Sequence, residues 1–234
     1  MKFFMAIALL MLGTQAFAQF TNESELGIAA ANGNTKTQTF QAKQATEYKF
    51  EEKNIVSFKG RYLNAKSNGE ETARYFMAGL RYEREVSNHL GFFAGETFEK
   101  DKFANVDQRL ITDLGARYRF IETDLTKWLA ELGYRYMDEE RLDNSKIYAN
   151  YGRVYTEWEH KWNTSFSTKY WAEYLPNFSE NKDWMFNTEL SVSAMLTSVF
   201  SLKTGVLLRY DHAPAPGVEY KEDVLFTTAL VAKF

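Results

Sequence analysis

No cysteine occurs in the 234 residues, and only three are proline, Pro176, Pro214 and Pro216. Without thiols there is no disulfide framework, so the fold has to hold by ordinary pairing and packing. Each proline would remove a donor from a strand ladder, so their scarcity suits long hydrogen-bonded strands. Beyond the first twelve residues no run of eighteen apolar residues occurs, which excludes membrane crossing by helices and leaves a closed barrel of strands allowed. Surplus charge is lacking too: 28 Lys and Arg stand against 31 Asp and Glu, a formal net charge of −3. That acidic balance makes nucleic acid a poor partner.

What is present begins with "MKFFMAIALLMLGTQAFAQ": Lys2, an apolar run from Phe3 to Leu12, and Ala16-Phe17-Ala18 as a small-x-small cleavage site. The pattern predicts a bacterial secretory signal peptide over 1–18 and a mature chain from Gln19. The apolar run is too short for a permanent span, and no cysteine follows it to carry a lipid. With no linker-like stretch, residues 19–234 read as one domain.

Apolar and polar residues alternate in twelve segments along that domain, at 24–31, 35–49, 54–65, 73–86, 90–100, 108–121, 127–138, 146–160, 164–175, 183–195, 200–211 and 223–234. In "RLITDLGARYRF", Leu110, Leu114, Ala116, Tyr118 and Phe120 share one side, and Arg109, Asp113, Arg117 and Arg119 share the other. In "DLTKWLAEL", Leu125, Trp128, Leu129 and Leu132 also fit helical spacing, but "LGYRYMD" continues in strict alternation and favours a strand. Tight connections such as "EEKN", "SNH", "ETDLT", "KWN" and "TSV" alternate with longer, more polar ones such as "KSNGEET", "DEERLDNS" and "HAPAPGVEYKE". This is the pattern of an up-and-down outer-membrane barrel with short periplasmic turns, and an even strand count puts both termini in the periplasm. Merging weak hairpins would give ten strands instead of twelve.

Alternation alone does not say which face is inside, because a soluble barrel is apolar within and a membrane barrel apolar without. Strands of about eleven residues match a tilted crossing, and Tyr and Trp recur near strand ends as at a membrane interface. Together with export and the lack of disulfides, these choose an all-β, antiparallel transmembrane barrel in the bacterial outer membrane. The last segment, "VLFTTALVAKF", alternates to its final residue, so Phe234 is expected to face lipid at the periplasmic rim and pair back to the first strand, closing the barrel. That strand is also the handle expected for the outer-membrane assembly machinery.

Several stretches resemble the domain-of-unknown-function family labelled salt-induced outer-membrane proteins: "SELGIAAANGNTKTQTF", "ARYFMAGLRYEREVSNHLGFFAGETFEKDKFANVDQRL", "LGARYRFIETD", "LGYRYMDE" and "LRYDHAPAPGVEYKEDVLFTTALVAKF". The most specific pieces are Gly33-Asn34-Thr35, Arg74-Tyr75, Gly79-Leu80-Arg81-Tyr82, Asp107 with Arg109-Leu110, and Pro214-x-Pro216-Gly217, where Ala215 stands in place of a further proline. The resemblance covers essentially the whole mature chain and implies an outer-membrane barrel and little else; no catalytic residues are carried over from it.

Catalysis would need a base beside a nucleophile, and the three histidines fall apart, His89 in an expected periplasmic turn, His160 near a periplasmic strand end and His212 in an external loop. His212, near the outer leaflet, is the only candidate for a lipid-modifying enzyme and has no identifiable serine partner. No enzyme, cofactor or metal site is expected: Asp211, His212, Glu219, Glu222 and Asp223 crowd one loop without zinc or calcium spacing. The constellation with functional content is inside. Glu25, Lys43, Glu47, Lys59, Arg61, Arg81, Glu83, Arg109, Asp113, Arg117, Arg119, Glu131, Arg135, Arg153, Glu157, Lys169, Glu173, Glu189, Lys203 and Arg209 are all expected to project into the bore. Such charges either line a narrow porin-like channel for small ions or hydrophilic solutes, or pair into a plug. The plug would leave a structural barrel whose external loops bind lipopolysaccharide or a partner. Twelve strands lie between the eight that side chains fill and the sixteen that leave a water channel. Oligomeric state is left open by the sequence.

Overall fold

Period-two alternation over long, nearly proline-free segments gives strands, and strands buried on neither face alone must pair all round. The computed structural model describes residues 20–31, 37–179 and 183–234; the expected signal peptide and the Gly33-Asn34-Thr35 turn lie outside them. Among the described residues there are twelve strands: β1 (Phe20–Ala31), β2 (Thr37–Phe50), β3 (Asn54–Ser67), β4 (Glu70–Glu85), β5 (Leu90–Asp101), β6 (Val106–Glu122), β7 (Thr126–Arg141), β8 (Lys146–Lys161), β9 (Phe166–Pro176), β10 (Trp184–Met195), β11 (Phe200–Asp211) and β12 (Glu222–Lys233). Each pairs antiparallel with the next, and β12 returns to β1, closing the barrel. At that seam Glu23 to Leu26 oppose Lys233 to Leu230, and Asn22 and Phe234 exchange backbone hydrogen bonds of 3.0 and 2.9 Å. The segment that also fitted a helix is β7, with Trp128 and Leu132 turned outward.

Along the strand cores odd-numbered residues pair with odd, as in Arg117 opposite Glu131 and Glu131 opposite Tyr155, and the parity changes only at register shifts near the strand ends, as at Lys66–Glu71, Asp101–Val106 and Ile121–Trp128. Away from the strand ends, therefore, inward side chains carry odd numbers throughout, and the outward apolar stripe carries even ones. Leu80, Leu114, Leu132, Val154, Leu190 and Leu202 all stand exposed on the outer wall, Leu132 by 70%. An apolar belt this extensive needs hydrocarbon against it. Aromatic girdles mark both rims. Phe120 packs on Trp128 at 4.6 Å and His160 on Trp162 at 4.6 Å at the rim carrying the termini; at the far rim Trp184 stacks between Tyr210 at 4.8 Å and His212 at 5.4 Å.

The connections depart from the expected short-and-long alternation. "KSNGEET" is not a loop: β3 and β4 run on through it to a two-residue turn at Asn68-Gly69, with φ of 52° and 87°, the left-handed pair that matches hairpin twist. "DEERLDNS" likewise continues β7 to Arg141 before a short turn, where Asp143 accepts from the hydroxyl and backbone N–H of Ser145, holding its carboxyl below the usual range. At the far rim only the connections 177–183 and 212–221 are distinctly longer than the turns at the other end. The polar residues lengthen the walls because cross-strand pairing satisfies their backbone as well as water does, and adds side-chain contacts.

Candidate functional site

The inward residues of β4 to β9 make an arginine–carboxylate cluster. Glu131, with its side chain 1% exposed, holds Arg81 at 2.7 Å, Arg117 at 2.8 Å and Arg153 at 2.6 Å. Glu83 holds Arg117 at 2.7 Å and Arg119 at 2.9 Å. Glu173 bridges Arg153 at 2.7 Å to Arg135 at 3.1 Å, and Arg135 also grips Asp113 at 2.7 Å. Nearer the far rim Arg109 joins Glu139 at 2.6 Å and Glu99 at 3.2 Å. Desolvating so many ions is offset only by such mutual charge-assisted contact. Beneath them lies Phe93, with the Arg81 guanidinium 3.6 Å from its ring centroid. Phe93 sits over Gly115, itself paired with Gly133; a Cβ on Gly115 would meet Leu132 O at 2.6 Å and Phe93 Cζ at 2.7 Å. The glycine pair is what makes room for the ring.

The rest of the bore is different in kind. Glu25 of β1 holds Lys43 and Lys203, each at 3.0 Å, and accepts from Gln41 Nε2 at 2.8 Å. Glu189 stands 3.4 Å from Lys203, and Lys169 pairs with Glu157 at 2.9 Å. Between these contacts the wall carries small side chains such as Ser191, Gly205 and Ala229. A cavity of 1830 Å³ runs past these residues. Its lining includes Glu23, Ser165 and Lys233 at the rim of the termini and Phe103, Gly217 and Tyr220 at the far rim; of the cluster, Glu99, Arg109, Arg135, Glu139 and Glu173 border it, whereas Arg81, Glu83, Arg117, Arg119, Glu131 and Arg153 do not. The ion pairs around Glu83 and Glu131 thus fill one part of the bore, and the cavity runs past them along the rest.

The far mouth is narrowed. Arg209 of β11 reaches Asp101 of β5 at 3.2 Å and lies 4.8 Å from the Tyr75 ring centroid, while Tyr75 donates to Glu99 at 2.9 Å. Above them the connection 212–221 crosses the opening. Ala215 is buried, and Asn105 Nδ2 of the β5–β6 turn donates to Pro216 O at 3.3 Å. A lumenal shelf of Ile111, Met137, Ala149, Tyr151 and Leu175, extended by Met185, occupies one side of this end.

All the charged residues expected in the bore carry odd numbers and sit on inward-facing strand positions, and Phe234 points outward at the rim, 60% exposed. Lys59 and Arg61 face the passage, whereas Glu83, Arg117, Arg119 and Glu131 belong to the filling. Sequence reasoning missed Asp101 and Glu139, placed in connections, and Tyr75, Phe93 and Glu99, which share the inward face of β4 and β5. It also missed the apolar shelf, since polar-in alternation does not foresee packed side chains inside a narrow bore. The histidine rings stay apart. His89 Nδ1 lies 2.8 Å from Arg119 O, His160 Nδ1 2.8 Å from Thr126 Oγ1, and His212 Nδ1 3.3 Å from the Tyr210 hydroxyl. Among the described residues no group of three or more His, Asp or Glu is arranged to hold a metal ion.

The family model described as "Protein of unknown function, DUF481" matches residues 24–234, so the chain belongs to that family. No curated protein matches it in sequence. Among solved structures it is similar to the NanC porin, at 8% identity and a TM-score of 0.56 over 91% of this chain and 98% of that one. It is also similar to the COG4313 outer membrane channel from Pseudomonas putida F1, at 10% identity and a TM-score of 0.55 over 92% and 94%. At such identities the likeness is one of fold: a closed antiparallel barrel of the outer-membrane, porin-like kind.

Proposed function

We propose that this member of the family is a narrow diffusion channel of the bacterial outer membrane, passing small ions and hydrophilic solutes along the half of the bore that the arginine cluster leaves free. The observation that carries the reading is a cavity lined by residues of both rims, with the ion pairs around Glu83 and Glu131 lying outside it. The cluster then serves as the rigid wall of the passage, and lipid and lipopolysaccharide meet the outer belt and the external connections. In this reading the rim bearing Phe234 faces the periplasm, the export segment has been removed, and the terminal strand is what the assembly machinery receives. No catalytic step is assigned to any residue.

A second reading, a non-conducting barrel whose external loops bind lipopolysaccharide or a partner, draws support from the contacts that cross the far mouth, Arg209 to Asp101 and Asn105 to Pro216. Planar-bilayer recording of the purified barrel separates the two. Discrete conductance steps in potassium chloride support the channel, and silence across salts and voltages supports the closed barrel.

A further inference from the structure

Two inward cations of β3 stand apart from the paired lysines, arginines and carboxylates around them in the middle of the passage. Lys43 and Lys203 are engaged by Glu25 and Glu189, Lys169 by Glu157, and Arg209 by Asp101. Lys59 and Arg61 line the same cavity, and neither makes an ion pair with a described carboxylate within 4.0 Å. The acidic groups that act on Lys59 are Glu157 and Glu47; Glu157 is already taken by Lys169 at 2.9 Å and by the Tyr155 hydroxyl at 2.6 Å. Those that act on Arg61 are Glu189 and Glu25, both held by lysines. Its Nε is buried without a hydrogen-bond partner, and its guanidinium carbon lies 5.5 Å from the Tyr75 ring centroid, a contact that leaves the donor fork unfilled.

Resting on the channel reading, we infer that the passage prefers anions and that Lys59 and Arg61 form its anion site, taking chloride or a small carboxylate- or phosphate-bearing solute. The two positions are i and i+2 on one strand, so both side chains leave the same face about 7 Å apart. A bare pair of cations inside a hydrocarbon-walled bore is costly, and a mobile counter-ion is the partner nearest to hand. Arginine's rigid fork matches a planar or tetrahedral oxyanion, and the lysine adds an adaptable point charge. The neighbouring pairs are neutral overall and Glu47 sets one negative charge against these two positive ones, so the field at this level of the passage takes their sign, between carboxylate-bearing mouths.

Two measurements test the site. Reversal potentials in asymmetric potassium chloride should show chloride favoured over potassium, and the doubly substituted Lys59→Glu, Arg61→Glu barrel should invert the preference. Independently of conduction, Trp171 projects into the same cavity two residues from Lys169, whereas Trp128, Trp158 and Trp184 face outward and Trp162 lies at the rim. With those four replaced by phenylalanine, iodide should quench Trp171 several-fold more strongly than caesium, and the charge reversal should abolish the difference. Lys59→Gln, Arg61→Gln serves if the reversed variant does not fold, as judged by heat-modifiable gel mobility. Potassium preference in the unsubstituted barrel, or ion preference and quenching untouched by the variants, overturns the anion site. Bilayer silence with selective iodide quenching keeps the site and sinks the channel; silence with equal quenching sinks both.

Discussion

Arg209 and Asp101 meet at 3.2 Å although β11 and β5 lie six places apart around a ring of twelve, so the pair spans the full width of the bore. Among the described residues it is an ionic contact between opposed walls at the far mouth. Replacing both partners, Arg209→Gln with Asp101→Asn, keeps the groups polar while removing the attraction. Single-channel conductance should then rise above that of the unaltered barrel, with unchanged gel mobility of the folded form.

The connection over the mouth should act in series with that pair. Asn105 Nδ2 fastens it at Pro216 O across the opening. Deleting 213–219 and closing the gap with a short glycine-serine turn should raise conductance further and shorten closed intervals. Asn105→Ala alone should increase current noise without changing the mean step much. Recordings from the two variants check this.

Glu131 holds three guanidinium groups in a part of the barrel away from the passage. Glu131→Gln leaves those cations short of an anion, and breaking such a buried arrangement costs about 3–5 kcal/mol. The urea midpoint of the barrel in liposomes should fall by that amount times the inverse slope, while chloride preference stays as it was.

Gly115 lies opposite Gly133 beneath Phe93. Gly115→Ala places a methyl group against backbone and ring at once, and overpacking of this sort costs about 1–3 kcal/mol. Phe93→Ala made together with Gly115→Ala should recover part of the loss, which a double-mutant cycle in urea would measure.

The outer belt has its own test. Leu114, 49% exposed at mid-strand on β6, faces outward among Leu132 and Phe92. Leu114→Arg should destabilise the folded barrel in bilayers by about 2–4 kcal/mol, since a cation at mid-membrane loses its water. Leu114→Arg at the same place in a soluble barrel would be nearly neutral, so the size of the effect reports the solvent.

Much of this molecule is legible from alternation. The strand cores, the outward stripe of Leu114 and Leu132, and the inward Arg109, Arg117 and Glu131 all follow from a period of two, because a one-residue slip would send each to the wrong solvent. Strand ends were read too short. Asp101 and Glu139 were assigned to connections because charged, turn-rich residues lose the apolar contrast on which periodicity depends, although the ladder runs through them. Pairing across the bore was illegible for another reason: that Arg209 finds Asp101 while Lys59 finds no carboxylate depends on barrel diameter and stagger, which local sequence does not encode.

Odd-with-odd pairing along the strand cores makes each strand behave like text with a reading frame. Insert one residue between Gly79 and Leu80 of β4 and the rest of that strand is transposed: Leu80 and Tyr82 would turn toward the bore, and Arg81 and Glu83 would be offered to acyl chains. The same insertion in the Glu51–Lys53 turn would cost only a slightly larger loop, because a turn resets the frame. The wall tolerates single-residue offsets where its ladder already shifts register, near Lys66, Val106 and Ile121, so variation in length belongs to the turns and to those strand ends.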